Sequence, residues 1–310
     1  MADLRGGGRA GRVRLLTIGT LLSFMLGGCA SAAPSAEPSR ARSDASIAGL
    51  FDIGDGREVF MECRGSGSPT VVFVSGTRGA ADEWQTLLPG VAPGTPTTFE
   101  AVAAHTRACA YDRPGTIRDD GSPTPSTAVA QPTTAAQGAD DLEAVLHAAG
   151  EEGPYVVVGL SLGGLIAQQF ARTFSDDVDG LVLLDSASAH LQRTLTPEQW
   201  DAWMAAIAAS GDGVAEAPDY EASIDGLGAT AALPRGTPVV VMSSDQPWDL
   251  QVTPGASTWP AWVEAQRLLA EELGADHLTQ TRSGHGLPAE QPQLVTRAIL
   301  GVVGMLRPAG

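Results

Sequence analysis

The sequence predicts an α/β protein, a mostly parallel sheet flanked by helices, and three observations carry that expectation. The first is residues 155–174, YVVVGLSLGGLIAQQFARTF. Here a β-branched apolar run passes through a glycine-rich turn straight into apolar residues at helical spacing, Ile166, Phe170 and Phe174. The second is the recurrence of short apolar runs at 70–74, 181–184 and 238–242. Their lack of alternation with polar residues reads as strands buried on both faces. The third is size. Beyond a leader and tether, about 265 residues remain, in a chain that is 43% hydrophobic, enough for one core of this class.

Residues 1–28 read as an export signal and not as part of the fold. Arg5, Arg9, Arg12 and Arg14 precede an apolar segment, residues 15–26, that is too short for a spanning helix. It closes on Leu26-Gly27-Gly28-Cys29, which resembles the lipobox of bacterial lipoproteins and implies a lipid-modified Cys29 after cleavage. An ordinary secretory signal with a coincidental cysteine is the other reading, and both export the protein. Residues 29–46, rich in Ala, Ser and Pro, read as a disordered tether, leaving 47–310 for the folded domain. The formal charge is −17, and removing residues 1–28 takes away four arginines and one aspartate, which brings it to −20. No lysine occurs in the chain. Such a surface argues against nucleic acid and against electrostatic binding to anionic lipid headgroups, so membrane attachment would rest on the lipid alone.

At the centre of the 155–174 stretch, Gly159-Leu160-Ser161-Leu162-Gly163 forms a G-x-S-x-G turn between strand and helix. A tight strand-to-helix turn has no room for large side chains beside the serine, so glycines flank it. Ser161 is thereby lifted to the C-terminal edge of the sheet. The helix that begins there aims N–H groups and the positive end of its dipole at the reacting centre. A glycine-rich turn with an idle serine is the bland alternative.

The other elements fall around this unit. Residues 58–64 and 107–111 are strand-like and carry Cys63 and Cys109. The 70–74 strand ends in Ser75-Gly76-Thr77-Arg78-Gly79, and Tyr111-Asp112-Arg113-Pro114-Gly115 closes the strand after it. A polar loop with three prolines, 116–133, is expected to be mobile, and a helix is expected over 134–149 with Leu142, Val145 and Leu146 on one face. The 181–184 strand ends in Asp185-Ser186-Ala187. Residues 188–235 then turn helical and irregular, with an apolar stripe at Trp200, Trp203, Met204 and Ile207 that suits an acyl pocket or plain packing. The 238–242 strand leads into Ser243-Ser244-Asp245-Gln246-Pro247-Trp248-Asp249. A helix around Trp262, Gln266 and Leu269 follows, then a last strand over 277–281, the loop Ser283-Gly284-His285-Gly286, and an amphipathic helix over 293–306.

Serine, aspartate and histidine in that chain order, with the serine in its strand–turn–helix unit, resemble the α/β-hydrolase superfamily over residues 47–307. The resemblance implies an eight-stranded, mostly parallel sheet flanked by helices, with a small helical lid over 188–235 between the sixth and seventh strands. Within the superfamily, the pattern is similar to actinobacterial hydrolases with an aspartate closing the sixth strand and a tryptophan-rich segment behind the seventh. It assigns Ser161 as nucleophile and His285 as base and acid, because His105, His147, His190 and His277 fall outside the loop after the last strand. It assigns the N–H groups of Thr77 and Leu162 to the oxyanion hole, although Ser75-Gly76 stands where a His-Gly pair is usual.

The triad acid is ambiguous. Most members place it in a G-x-x-D turn after the seventh strand; here Ser244 takes the Gly place and Pro247 stands three residues on, with Asp245 and Asp249 bracketing the spot. Asp185, at the end of the sixth strand, is a position some lipases use. Asp185 is preferred and Asp245 is the rival. The same resemblance makes the strands of Cys63 and Cys109 neighbours, which together with export implies a Cys63–Cys109 disulfide rather than two free thiols. The cysteine and histidine spacings of metal sites are absent, and no cofactor is implied. The expected activity is that of an exported serine hydrolase acting on a small-molecule carboxylic ester. Aspartate-nucleophile chemistries on the fold are disfavoured by the serine in the elbow. Amide, thioester or lactone hydrolysis by the same triad is one alternative, and a non-catalytic binding lipoprotein on this fold is another.

Overall fold

An eight-stranded sheet organises residues 46–210 and 213–307, the part of the chain that the computed structural model describes. The expected export signal, Cys29 and the expected tether up to residue 45 lie outside the described residues. The strands are β1 (Ile47–Gly54), β2 (Arg57–Arg64), β3 (Thr70–Val74), β4 (Ala108–Tyr111), β5 (Tyr155–Leu160), β6 (Val178–Leu184), β7 (Val239–Met242) and β8 (Asp276–Leu278). Their order is β1-β2-β4-β3-β5-β6-β7-β8, antiparallel for β1 with β2 and β2 with β4, and parallel for every other pair. Because β4 lies on one side of β3 and β5 on the other, the connections diverge there. That divergence opens a crevice at the C-terminal ends of β3 and β5.

The helices are α1 (Thr98–Ala103), α2 (Ala135–Ala148), α3 (Leu162–Thr173), α4 (Leu191–Thr194), α5 (Pro197–Ser210), α6 (Tyr220–Ala229), α7 (Trp259–Leu273), α8 (Leu287–Glu290) and α9 (Pro292–Leu306). α2 fills the helix expected over 134–149, and it starts at a reciprocal cap between Thr134 and Gln137. α7 ends at Gly274, whose φ of 60° is left-handed and suits glycine. Successive residues of β3 feed opposite layers. Val72 and Val74 pack with α2, α3 and α7, while Val71 and Phe73 pack with α1 and α9. Between β6 and β7 the chain leaves the sheet for α4, α5 and α6, an insertion over the C-terminal edge of the strands. Among the described residues no helix is long and apolar enough to cross a membrane.

Two expectations are modified. The last strand stops at Leu278, short of residue 281, because the Thr281 hydroxyl donates to the Ser243 carbonyl at 2.7 Å and draws the chain across the end of β7. The 116–133 loop is pinned to Asp112. Its carboxylate accepts from Arg118 at 2.7 Å and from the Thr124 hydroxyl at 3.0 Å, and its carbonyl accepts from the Ser126 hydroxyl at 2.7 Å.

Cys63 and Cys109 face each other in the β2–β4 register, are fully buried and form a disulfide. The bond joins residues 46 apart, so the chain-entropy model gives it about 4 kcal/mol of stabilisation through the unfolded state. A variant with both Cys63→Ala and Cys109→Ala should therefore unfold in urea with a stability about 3 to 4 kcal/mol lower. A midpoint equal to that of the unaltered protein would show that the bond contributes nothing to folding.

Candidate active site

Ser161 sits between β5 and α3 with φ 53° and ψ −120°, a backbone conformation that costs a non-glycine residue roughly 1–3 kcal/mol. Three hydrogen bonds hold it there. Its N–H donates to Leu184 O at 3.1 Å, and its carbonyl accepts from the N–H groups of Gly164 at 3.0 Å and Ala187 at 2.9 Å. The flanking glycines are a steric requirement. A Cβ on Gly163 would stand 2.1 Å from Val74 O, and one on Gly159 would stand 2.4 Å from Gly163 O.

Asp185 follows β6 directly, with φ 41°, and is fully buried. One carboxylate oxygen accepts from both the N–H and the hydroxyl of Ser244, each at 3.0 Å. The other lies 2.7 Å from His285 Nδ1. His285 stands in the loop between β8 and α8, its ring against Trp248 with centroids 4.1 Å apart and edge-on to Trp262 at 5.5 Å. With Nδ1 held by the carboxylate, Nε2 is the nitrogen left to exchange a proton. Trp248 Nε1–H donates to Ser244 Oγ at 3.0 Å, so tryptophan, serine, aspartate and histidine form one chain of hydrogen bonds.

Asp245 points elsewhere. Its carboxylate accepts from Ser283 N–H at 3.0 Å and lies 3.4 Å from the Thr281 hydroxyl oxygen. Burial pulls its pKa upward, but the N–H groups of Arg282 and Ser283 with the Thr281 hydroxyl hold the carboxyl below its ordinary range. It braces the turn that leads to His285. Asp249 caps a local turn through Gln251 and Thr258. Of the other histidines, His190 pairs with Glu272 at 2.8 Å, His277 contacts Ser243 Oγ at 2.6 Å, and His105 and His147 are exposed.

Ser161 and His285 line one cavity of about 370 Å³, walled by Trp203, Ile207, Tyr220, Trp248, Leu250 and Trp262. Of the apolar stripe on α5, Trp203 and Ile207 reach this cavity, whereas Trp200 is buried and donates to Glu221 at 3.2 Å. Thr77 also lines it. The N–H groups on either side of Thr77 are committed to carboxylates, Gly76 to Glu83 at 2.7 Å and Arg78 to Glu216 at 2.5 Å. Leu162 is the first residue of α3, so its N–H has no carbonyl one turn back to bond to. Burial raises the Tyr220 phenol to about 12, keeping it neutral beside the Thr77 hydroxyl.

Sequence reasoning missed Glu83, Arg113 as a contact of the site, and Glu216. In the sequence Arg113 stands only within the run that closes the fourth strand. Glu83 and Glu216 carried no motif, since their partners stand 7 residues away for Glu83 and 103 residues away for Glu216.

Residues 71–298 match the model of a family described as the alpha/beta hydrolase family. An uncharacterized protein of Schizosaccharomyces pombe is 27% identical over 157 residues, which cover 45% of this chain and 28% of that protein; the match thus spans little more than a quarter of its length. Among solved structures, the esterase EaEST from Exiguobacterium antarcticum superposes with a TM-score of 0.57 at 17% identity, covering 83% of this chain and 100% of that one. An esterase from Thermogutta terrifontis gives 0.53 at 19%, covering 84% and 98%. The haloalkane dehalogenase DatA from Agrobacterium tumefaciens gives 0.55 at 14%, covering 85% and 98%. At these identities the likeness shows the fold alone.

Glu83 gives the site a testable titration. Burial raises its carboxyl above the ordinary range, and the Gly76 N–H, Arg113 and His285 offset this only in part. The folded state therefore holds this proton more tightly than the unfolded chain does. Stability from this group is present below the unfolded value of about 4.3 and is lost as pH rises through the folded value. Glu83→Gln removes that dependence, so the stability of the variant relative to the parent should rise with pH above about 4, until the folded-state carboxyl has ionised. Urea midpoints across that range check it, and a difference that stays constant with pH would contradict it.

Proposed function

The chain belongs to the alpha/beta hydrolase family, and on that premise we propose that it is a serine hydrolase of small carboxylic esters working through an acyl-enzyme. The observation that carries the reading is the contact of buried Asp185 with His285 Nδ1, in a cavity that the strained Ser161 also lines. His285 Nε2 takes the Ser161 hydroxyl proton as the oxygen attacks the ester carbonyl carbon. The Asp185 carboxylate stabilises the imidazolium that forms and does not itself take the proton. The N–H groups of Thr77 and Leu162 receive the developing oxyanion. Collapse of the tetrahedral intermediate expels the alcohol, protonated by His285. A water molecule, deprotonated by the same nitrogen, then attacks the acyl group and frees the acid and Ser161.

The insertion between β6 and β7 acts as the lid in this reading, since it supplies Trp203, Ile207 and Tyr220 to the apolar wall that would take the acyl or alcohol group. Export belongs to the same proposal. A buried disulfide suits an oxidising compartment, and the lipobox-like run at Cys29 would tether the enzyme to the outer face of the membrane. Mass spectrometry of the mature protein would find a diacylglyceryl group on Cys29.

A fluorophosphonate should label the purified protein at Ser161, and Ser161→Ala should abolish both labelling and hydrolysis of p-nitrophenyl esters. An unaltered protein that takes no label would leave the fold as a binding scaffold without this chemistry. For the acid, Asp185→Asn should lower kcat by about three to four orders of magnitude, because the imidazole loses its orienting carboxylate. Asp245→Asn should lower kcat far less. The reverse ranking of the two variants would transfer the role to Asp245.

A further inference from the structure

The loop Ser75–Gly79 is held from outside by a buried ion pair that the reaction steps above do not use. Arg113 and Glu216 are each 3% exposed. Arg113 Nε donates to one Glu216 oxygen at 2.6 Å and Nη2 to the other at 3.0 Å. The remaining guanidinium bonds go to the loop, from Nη1 to Ser75 O at 2.9 Å and from Nη2 to Gly76 O at 2.6 Å. Glu216 itself accepts the Arg78 N–H. Arg78 in turn reaches back to the insertion, its guanidinium donating to Glu216 O at 3.2 Å and to Ser210 O at 2.7 Å.

Peptide planarity converts these contacts into a direction. Gly76 C=O and Thr77 N–H belong to one rigid trans peptide and point opposite ways. Fixing the carbonyl with Arg113 therefore fixes where the Thr77 N–H points. The next peptide is fixed by the Arg78 N–H on Glu216. A buried ion pair gives little net stability over an apolar pair of similar volume, so stability alone is a weak reason for this arrangement. We propose that Arg113 and Glu216 are positioning residues for ester hydrolysis: they aim the Thr77 N–H at the oxyanion, and Glu216 makes that aim depend on the seated insertion between β6 and β7. The inference rests on the serine-hydrolase reading, with Thr77 as an oxyanion donor.

The pair is tested by Glu216→Gln and by the double variant Arg113→Met with Glu216→Leu, which replaces both charges by apolar side chains so that neither is left buried alone. Each is assayed where its circular dichroism matches the unaltered protein, with kcat and KM for a p-nitrophenyl ester and affinity for an alkylboronic acid, which mimics the tetrahedral oxyanion. The expected result is a fall in kcat of about 10- to 100-fold with KM nearly unchanged, and a parallel loss of boronate affinity, since a misdirected donor weakens the oxyanion and not the ground state. A folded variant of either kind with undiminished kcat and boronate affinity overturns the proposal, as does an effect confined to KM. Failure of the serine-hydrolase reading shows differently, as an unaltered protein that binds no boronate and takes no fluorophosphonate.

Discussion

The start of α3 is pressed against the end of β3. At Gly163 there is space for a hydrogen and nothing larger, because the Val74 and Ser75 carbonyls occupy the place of a side chain. β3 and β5 run parallel with Val74 opposite Gly159, so the two strand ends finish level and their loops emerge side by side. The same contact therefore sets Ser161 and the Ser75–Gly79 loop against each other. In the proposed reaction, nucleophile and oxyanion donor are thus registered by backbone packing before any polar side chain is considered. The positive φ at Ser161 is the consequence, and the backbone hydrogen bonds to Leu184, Gly164 and Ala187 offset its strain.

Charge is handled inside this acidic protein by pairing, or by burial that disfavours the charged form. Asp185 is buried with two donors from Ser244 and the imidazole of His285, a set that satisfies a carboxylate without a cation dedicated to it. Glu216 is neutralised by Arg113. Glu83 is different, because it stands against the Ser75–Gly79 loop with one N–H donor and its burial favours the neutral form. A full negative charge there would oppose the oxyanion of the proposed reaction. The upward shift of its pKa reduces that conflict, and the Gly76 N–H keeps the carboxyl in place in either protonation state.

The parts of the structure legible in the sequence are those in which burial is uniform. β3, β5 and β7 are buried at every residue and read as unbroken apolar runs. β1 alternates half-buried with exposed residues at the sheet edge and includes Gly49 and Asp52, so its pattern carries no comparable signal. The elbow was legible because its glycines are forced by sterics. Glu216 was not, because its partner is brought to it by the fold across 103 residues of chain. The choice between Asp185 and Asp245 fell between these cases. Both follow strands ending on the same edge, and what separates them is side-chain direction, set at Asp185 by a φ of 41° and at Asp245 by the donors of residues 281–283.

That difference also accounts for the chain's departure from the usual turn behind the seventh strand. With a carboxylate delivered to His285 from β6, the loop after β7 has no need to bend back through a glycine. It can place Ser244 where the glycine would stand, and the serine supplies both an N–H and a hydroxyl to Asp185. Ser244 Oγ has already donated its proton to the carboxylate, so its lone pair is open to Trp248 Nε1–H, which fixes the hydroxyl's direction. The indole so anchored lies against the imidazole, 4.1 Å between centroids, and closes one face of His285 to water. The loop after β7 thus orients Asp185 and covers His285 from behind, and this is why Ser244 and Trp248 are best understood together with Asp185.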